Sequence, residues 1–136
     1  MTYVLRARLS VRFDTIAPAG FRILAALDRA TTVHQVSLMI TSGTDSHSAG
    51  RHPKGEAFDV SVADLSPRVI VDLYRWLTTK LGPLFTVLYE SPFDPTDAGL
   101  RTIVTVNKHA SGPHIHAQPV KGTVFPPEDQ PDTVRV

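Results

Sequence analysis

The chain has 136 residues, a length that suits one domain with a buried core and leaves little room for two. Its composition, 42% hydrophobic and 20% charged with a formal net charge of +1, is that of a globular protein and argues against a nucleic-acid-binding protein, which usually needs a concentrated basic surface. The chain has no cysteine, which excludes disulfides, thiolate metal ligands and a cysteine nucleophile.

The N-terminal half alternates predicted strands with one helix. Residues 3–11 alternate apolar and polar side chains, as a half-exposed strand does, and their arginines interrupt the apolar core that a signal peptide would need. Pro18 begins a short amphipathic helix that we expect to end at about Arg29. Residues 36–43 form a strand, residues 44–56 a loop rich in Ser, Gly and His, and residues 57–64 the next strand.

The C-terminal half contains the clearest helix, over residues 66–82. Ser66 can cap it, Pro67 fits its first turn and Gly82 closes it. Strands are predicted over residues 84–91, 100–108 and 114–120, and the proline-rich acidic tail, residues 125–136, is expected to be frayed or ordered only at a sheet edge.

These elements predict one α+β domain over residues 1–136. We expect a mainly antiparallel sheet with two helices packed on one face, and the other face free. No apolar run reaches the length of a membrane span, so we expect synthesis in the cytoplasm, a monomer, and neither a membrane nor a nucleic-acid partner.

Three segments could supply metal ligands to the free face. Residues two apart in a strand point the same way, so His114 and His116 project together, and Asp59 lies on the open face of its own strand. Pro53 and Gly55 let the chain fold back and bring His52 to the same space. Two imidazoles and one carboxylate are a common catalytic zinc set that leaves a fourth position for water.

Each of these residues alone is more often structural than functional. A loop histidine is usually polar surface, an H-x-H pair arises by chance in alternating strands, and one aspartate on an open face can simply face solvent. Their combination in a chain with six histidines favours a site. Of the other histidines, we expect His34 at the surface and His109 in a loop.

The segment "RHPKGEAFDV" resembles the H-x-x-G-x-A-x-D signature of the zinc D-Ala-D-Ala peptidases, which include carboxypeptidases, dipeptidases and phage L-alanyl-D-glutamate endolysins, and whose fold the Hedgehog signalling domain shares. The segments "LMITSG", "VLYES" and "PHIH" also look like family elements, so the resemblance spans roughly residues 18–118. It implies a Hedgehog/DD-peptidase-like fold.

The resemblance also implies residue roles. The ligands of a Zn²⁺ ion would be His52, Asp59 and His116. Glu90 would be the general base and would pass a proton to the leaving amine, while His114 would orient or stabilise the tetrahedral intermediate. For the substrate, His47 would line the entrance, and Arg51 would replace the arginine with which the family often grips a substrate carboxylate.

The sequence departs from the family at three places. Gly50 stands where the family usually has Ser, and the family's arginine is missing from the loop after "SG". About twenty residues separate Glu90 from His114, which relatives join closely, and we interpret residues 91–113 as an inserted hairpin. His109 or Asp94 of this insert could lie near the pocket instead.

The resemblance favours a zinc metallopeptidase that hydrolyses an amide bond in peptidoglycan stem peptides through a metal-activated water. The expected setting is a phage endolysin or a virion-associated lytic enzyme that reaches the cell wall after release. The competing hypothesis is a non-hydrolytic zinc-binding domain with a structural or partner-recognition role. A third is a metal-free structural protein whose histidines are accidental.

Overall fold

A computed structural model describes residues 2–43, residue 52 and residues 54–125 of the chain. In this part of the chain it shows a six-stranded sheet in the order β1-β2-β3-β6-β4-β5 and three helices. The elements in chain order are β1 (Leu5–Ala7), α1 (Pro18–His34), β2 (Leu38–Ser42), β3 (Phe58–Ser61), α2 (Pro67–Leu81), β4 (Phe85–Ser91), α3 (Ala98–Arg101), β5 (Val104–Val106) and β6 (His114–Pro119). The α+β class is confirmed.

The sheet is mixed, so the prediction of a mainly antiparallel sheet was wrong. The three central pairings, β2 with β3, β3 with β6 and β6 with β4, are antiparallel, while β1 pairs with β2 and β5 pairs with β4 in parallel. Each parallel pair is joined by a connection that contains a helix, as parallel neighbours require. Alternation of apolar and polar residues indicates a strand but not its direction. The sequence therefore did not predict the two parallel pairings.

The predicted hairpin over residues 91–113 is a crossover instead. After β4 the chain forms α3, a short third helix that sequence reasoning missed, and then β5 beside β4. Asp97 caps α3 by accepting a hydrogen bond from the backbone N–H of Leu100, whose side chain is buried in the core. The insert therefore widens the sheet at its edge.

The two long helices have the predicted starts. Ser66 accepts a hydrogen bond from the N–H of Val69 and Gly82 caps the other end of α2, as expected. The first helix continues past Arg29 to His34, where Gln35 takes a left-handed conformation with φ 54°. The run of β-branched residues after Arg29 disfavours a helix, but burial of Ala30 and Thr31 outweighs that preference.

The core lies on one face of the sheet only. Phe58 and Val60 of β3, Tyr89 of β4 and Ile115 of β6 are buried in one cluster with the apolar faces of α1 and α2. Because side chains alternate across a strand, the residues between them point to the opposite face, which is partly open. No helix within the described residues is both long and apolar enough to cross a membrane.

Candidate metal centre

Three side chains from separate parts of the backbone converge on the open face of the sheet. Donor atoms of His52, Asp59 and His116, which we call the metal cluster, all lie within 4.8 Å of one another. The two carboxylate oxygens of Asp59 face different histidines, with Oδ1 2.7 Å from Nδ1 of His116 and Oδ2 3.6 Å from Nε2 of His52. The structure thus brings together the three residues predicted as ligands.

Strand register places two members of the metal cluster. Asp59 in β3 and His116 in β6 are directly opposite each other in the antiparallel ladder. Side chains so paired have Cβ atoms about 5 Å apart, which suits a shared ion. An irregularity in the pairing of β2 with β3 then brings Ser42 opposite Asp59, and its hydroxyl lies 3.5 Å from Nδ1 of His52.

A tight turn places His52, as the Pro-Lys-Gly segment predicts. The N–H of Gly55 donates to the carbonyl oxygen of His52, and Gly55 has φ +70°. A side chain here would also collide with the chain, since a Cβ on Gly55 would lie 1.9 Å from the carbonyl oxygen of Thr15. Only glycine fits both demands, so this position of the signature has a structural cause.

Hydrogen bonds on the far side of each ring aim the histidines at Asp59. Nδ1 of His52 lies 3.0 Å from the carbonyl oxygen of Gly43, which can only accept, so Nδ1 carries the proton and Nε2 presents its lone pair. Nε2 of His116 lies 2.8 Å from Oε1 of Gln118, which leaves Nδ1 to face Asp59. Once His116 gives up the proton that its Nδ1 shares with Asp59, two imidazole lone pairs and one carboxylate would point into the same space.

Electrostatics confirm that this space favours positive charge. Burial alone would raise the pKa of Asp59, but the hydrogen bond and charge of His116, with the charges of His52 and His114, bring it below its ordinary value of 3.8. Burial alone would lower the pKa of His116, but Asp59, aided by Gln118 and Glu90, raises it above 6.5. A proton on His116 neutralises Asp59 here, and a divalent cation would do so more strongly.

The donor set fits a metal such as zinc. The ligand atoms are imidazole nitrogens and a carboxylate, two of the three residues are partly exposed while His52 is buried, and both rings already have the outer hydrogen bonds that metal-binding histidines normally make. Zinc, copper, iron and nickel all accept such ligands, so the three residues could hold a metal ion without fixing which one.

Glu90 and His114 form a pair beside the metal cluster. They are directly opposite in the ladder between β4 and β6, and Oε1 of Glu90 lies 3.1 Å from Nε2 of His114. His114 is two residues before His116 on the same face, a spacing of about 6.8 Å along a strand. Despite the long insert, the structure therefore keeps Glu90 next to His114 and near the metal cluster.

The Glu90–His114 pair is held from both ends. The other carboxylate oxygen of Glu90, Oε2, lies 3.4 Å from Nδ2 of Asn107, and Nδ1 of His114 lies 3.0 Å from the carbonyl oxygen of Gly112. The amide of Asn107 has a defined orientation, because its Oδ1 accepts a hydrogen bond from the backbone N–H of His109 and so its NH₂ group faces Glu90.

The structure places only some of the other predicted residues. His47 and Arg51, assigned to the substrate, and Gly50 fall outside the described residues. Asp94 and His109, the alternatives from the insert, are exposed and neither belongs to the metal cluster. His34, which we expected at the surface, is half-buried, and its ring centroid lies 5.7 Å from that of Trp76.

Sequence reasoning missed the two amides of the site. Gln118 could have been found, because it follows His116 by two residues and so shares its face. Asn107 could not, since its approach to Glu90 depends on the parallel pairing of β5 with β4.

A polar pocket of about 210 Å³ adjoins the pair. It is lined by His114 and Arg8, by the hydroxyl side chains of Thr41, Ser61 and Ser111, and by Ala63, Gly112 and Pro113. None of these residues is acidic. Space for a ligand with hydrogen-bond acceptors therefore lies directly beside His114.

Comparisons with protein-family models, with curated proteins and with solved structures found no match for this chain. The resemblance to the zinc D-Ala-D-Ala peptidases therefore stands on the sequence signature alone, and the Hedgehog-like fold stays a prediction.

Proposed function

We propose that the chain is a zinc-dependent peptidase that hydrolyses an amide bond in peptidoglycan stem peptides. The observation that carries this proposal is the position of the Glu90–His114 pair beside the metal cluster: His114 is two residues before His116 in β6, on the same face of the sheet. A metal site that only stabilised the fold would need no carboxylate and imidazole paired beside it. Their types and placement suit proton transfer and charge stabilisation at a bond held next to a metal.

Each residue of the site would have a separate role in the hydrolysis. His52, Asp59 and His116 would hold the zinc ion, which when bound lowers the pKa of a water molecule and polarises a carbonyl group. Glu90 accepts a proton from the attacking water and delivers it to the leaving amine. His114 would act as an imidazolium: its Nδ1–H donates to the carbonyl oxygen of Gly112, and its Nε2–H, which faces Glu90, would donate to the negative charge that develops on the substrate oxygen.

The pocket beside His114 supports a peptide substrate. Arg8 and the hydroxyls of Ser61 and Ser111 offer donors to a carboxylate or to peptide carbonyls, and no acidic side chain lines the pocket itself. Arg8 can in this way supply the charge that the family resemblance assigns to an arginine from another loop. The choice of peptidoglycan, and of a phage endolysin or virion-associated enzyme that acts as a monomer on the cell wall after release, rests on the resemblance.

A non-hydrolytic zinc-binding domain is the second candidate. The observation that favours it is that both carboxylate oxygens of Glu90 have partners, His114 and Asn107, in the described part of the chain. Each oxygen keeps a further lone pair for a water molecule, but the two contacts restrict how the carboxylate can turn towards one. If the carboxylate does not reach a metal-bound water, the metal cluster serves only structure or recognition.

The test compares three proteins on purified peptidoglycan, each with zinc and with a chelator. The wild type should release peptides with zinc only, Glu90→Gln should bind one equivalent of zinc and release at least 100-fold fewer, and Asp94→Asn should match the wild type. Asp94 is the matched control because it is an exposed acid of the same connection. Zinc binding without turnover in the wild type would establish the second candidate, and no bound metal would exclude both.

A further inference from the structure

Gln118 makes a contact that the proposed function does not use. Its side chain lies half-buried on the open face of β6, and its Oε1 is 2.8 Å from Nε2 of His116. The backbone supports this placement, because Gln118 is two residues beyond His116 and sits opposite Thr86 of β4 in the antiparallel ladder. The contact is therefore built by the sheet and does not depend on a loop.

The contact decides which nitrogen of His116 can bind a metal. A neutral imidazole carries one proton, and only the other nitrogen has a lone pair to give. The nitrogen that faces Asp59 is Nδ1, at 2.7 Å from Oδ1. For Nδ1 to act as a ligand, the proton must reside on Nε2, and Nε2–H then needs an acceptor in this partly buried place.

We propose that Gln118 is a positioning residue for the metal centre: its side-chain oxygen holds the His116 proton on Nε2 and directs Nδ1 to the ion. The inference rests on the metal cluster of the proposed function but not on peptidase activity. His52 has the same arrangement with a main-chain carbonyl, that of Gly43, which substitution cannot remove. Gln118 is thus the point at which this outer hydrogen bond can be tested by mutation.

Two variants of Gln118 distinguish the effect of its acceptor oxygen on zinc affinity from the effect of its side-chain shape. Gln118→Met keeps an unbranched side chain of similar length without a strong acceptor, and should weaken zinc binding 10- to 100-fold, the usual loss for an outer-sphere partner. Gln118→Glu keeps an oxygen acceptor and should bind zinc at least as tightly as the wild type. Thr86→Val, directly opposite in β4, is the control and should leave affinity unchanged.

Affinity is measured by competition with a chromophoric chelator, without substrate, and folding by circular dichroism. Equal affinity of a folded Gln118→Met variant and the wild type would overturn the proposal. The nitrogen-15 spectrum of the zinc-loaded wild type gives a second test, which does not depend on whether a variant folds. In it, His116 should bind zinc through Nδ1 and carry its proton on Nε2. Binding through Nε2 would refute the proposal, even where zinc and peptidase activity are both present. A wild type that binds no zinc would refute it together with the metal centre.

Discussion

Replacement of Asp59 by asparagine should remove a pH-dependent part of the stability of the metal-free protein. Asp59 and His116 are 2.7 Å apart, and their side chains are only 14% and 12% exposed. Asparagine keeps the shape and one acceptor oxygen but loses the charge. A hydrogen bond to a charged group stabilises a fold by about 1.5–3 kcal/mol, so we expect Asp59→Asn to lower the free energy of unfolding by about that amount near pH 5.5.

The signs of the two pKa shifts define the pH window. The pKa of Asp59 is lowered, so its contribution is present above 3.8 and is lost as the pH falls through the folded-state value. The pKa of His116 is raised, so its contribution is present below 6.5 and is lost as the pH rises through the folded-state value. The difference between wild type and variant should therefore be largest between about pH 4 and 6.5 and shrink on both sides.

Urea unfolding in the presence of a chelator measures this difference, followed by circular dichroism and by the fluorescence of Trp76, the one tryptophan of the chain. The control is Asp64→Asn, an exposed acid just beyond β3, which should change little at any pH. A difference between wild type and Asp59→Asn that is flat from pH 4 to pH 9 would refute the assigned pairing of Asp59 with His116.

With zinc present, the difference in free energy of unfolding between wild type and Asp59→Asn should no longer shrink at high pH. Zinc needs deprotonated imidazoles, so its binding strengthens as the pH rises through the pKa of His116. At a free concentration 100 times the dissociation constant it should stabilise the wild type by about 2.7 kcal/mol, and Asp59→Asn by much less. Equal zinc stabilisation of both proteins would show that the ion binds elsewhere.

Three further substitutions test the surroundings of the site. Gly55→Ala should lower the free energy of unfolding by at least about 2 kcal/mol in urea titrations, because it forces a side chain into a left-handed conformation and against Thr15. The control is Gly112→Ala, where a Cβ meets no atom within 4 Å. A loss for Gly55→Ala no larger than that for Gly112→Ala would contradict this prediction. Asn107→Leu should reduce kcat on peptidoglycan about 10-fold while zinc affinity stays unchanged, because Glu90 loses its second partner; unchanged kcat would remove Asn107 from the site. Arg8→Gln should raise KM about 10-fold with little change in kcat, and an effect on kcat alone would place the substrate outside the pocket beside His114.

The metal cluster was predictable because its signals are local. The period of two in β3 and β6 places Asp59 and His116 on the open face, and the turn from His52 to Gly55 is dictated by backbone conformation. What the sequence could not supply is the order and direction of strands. The parallel pairing of β5 with β4, and with it the contact of Asn107 with Glu90, depends on long-range packing that apolar alternation does not encode.

The topology also explains how a long insert can separate Glu90 from His114 without parting them. The strand order β3-β6-β4-β5 puts β6 between the strands that carry Asp59 and Glu90. The inserted strand β5 attaches to the opposite edge of β4, so the added residues extend the sheet outwards and leave the ladder between β4 and β6 intact. Separation along the chain is therefore a poor guide to this site. The position of Glu90 is fixed by its register with β6. A shift of that register by one residue would turn every side chain of β4 to the other face and take Glu90 away from His114.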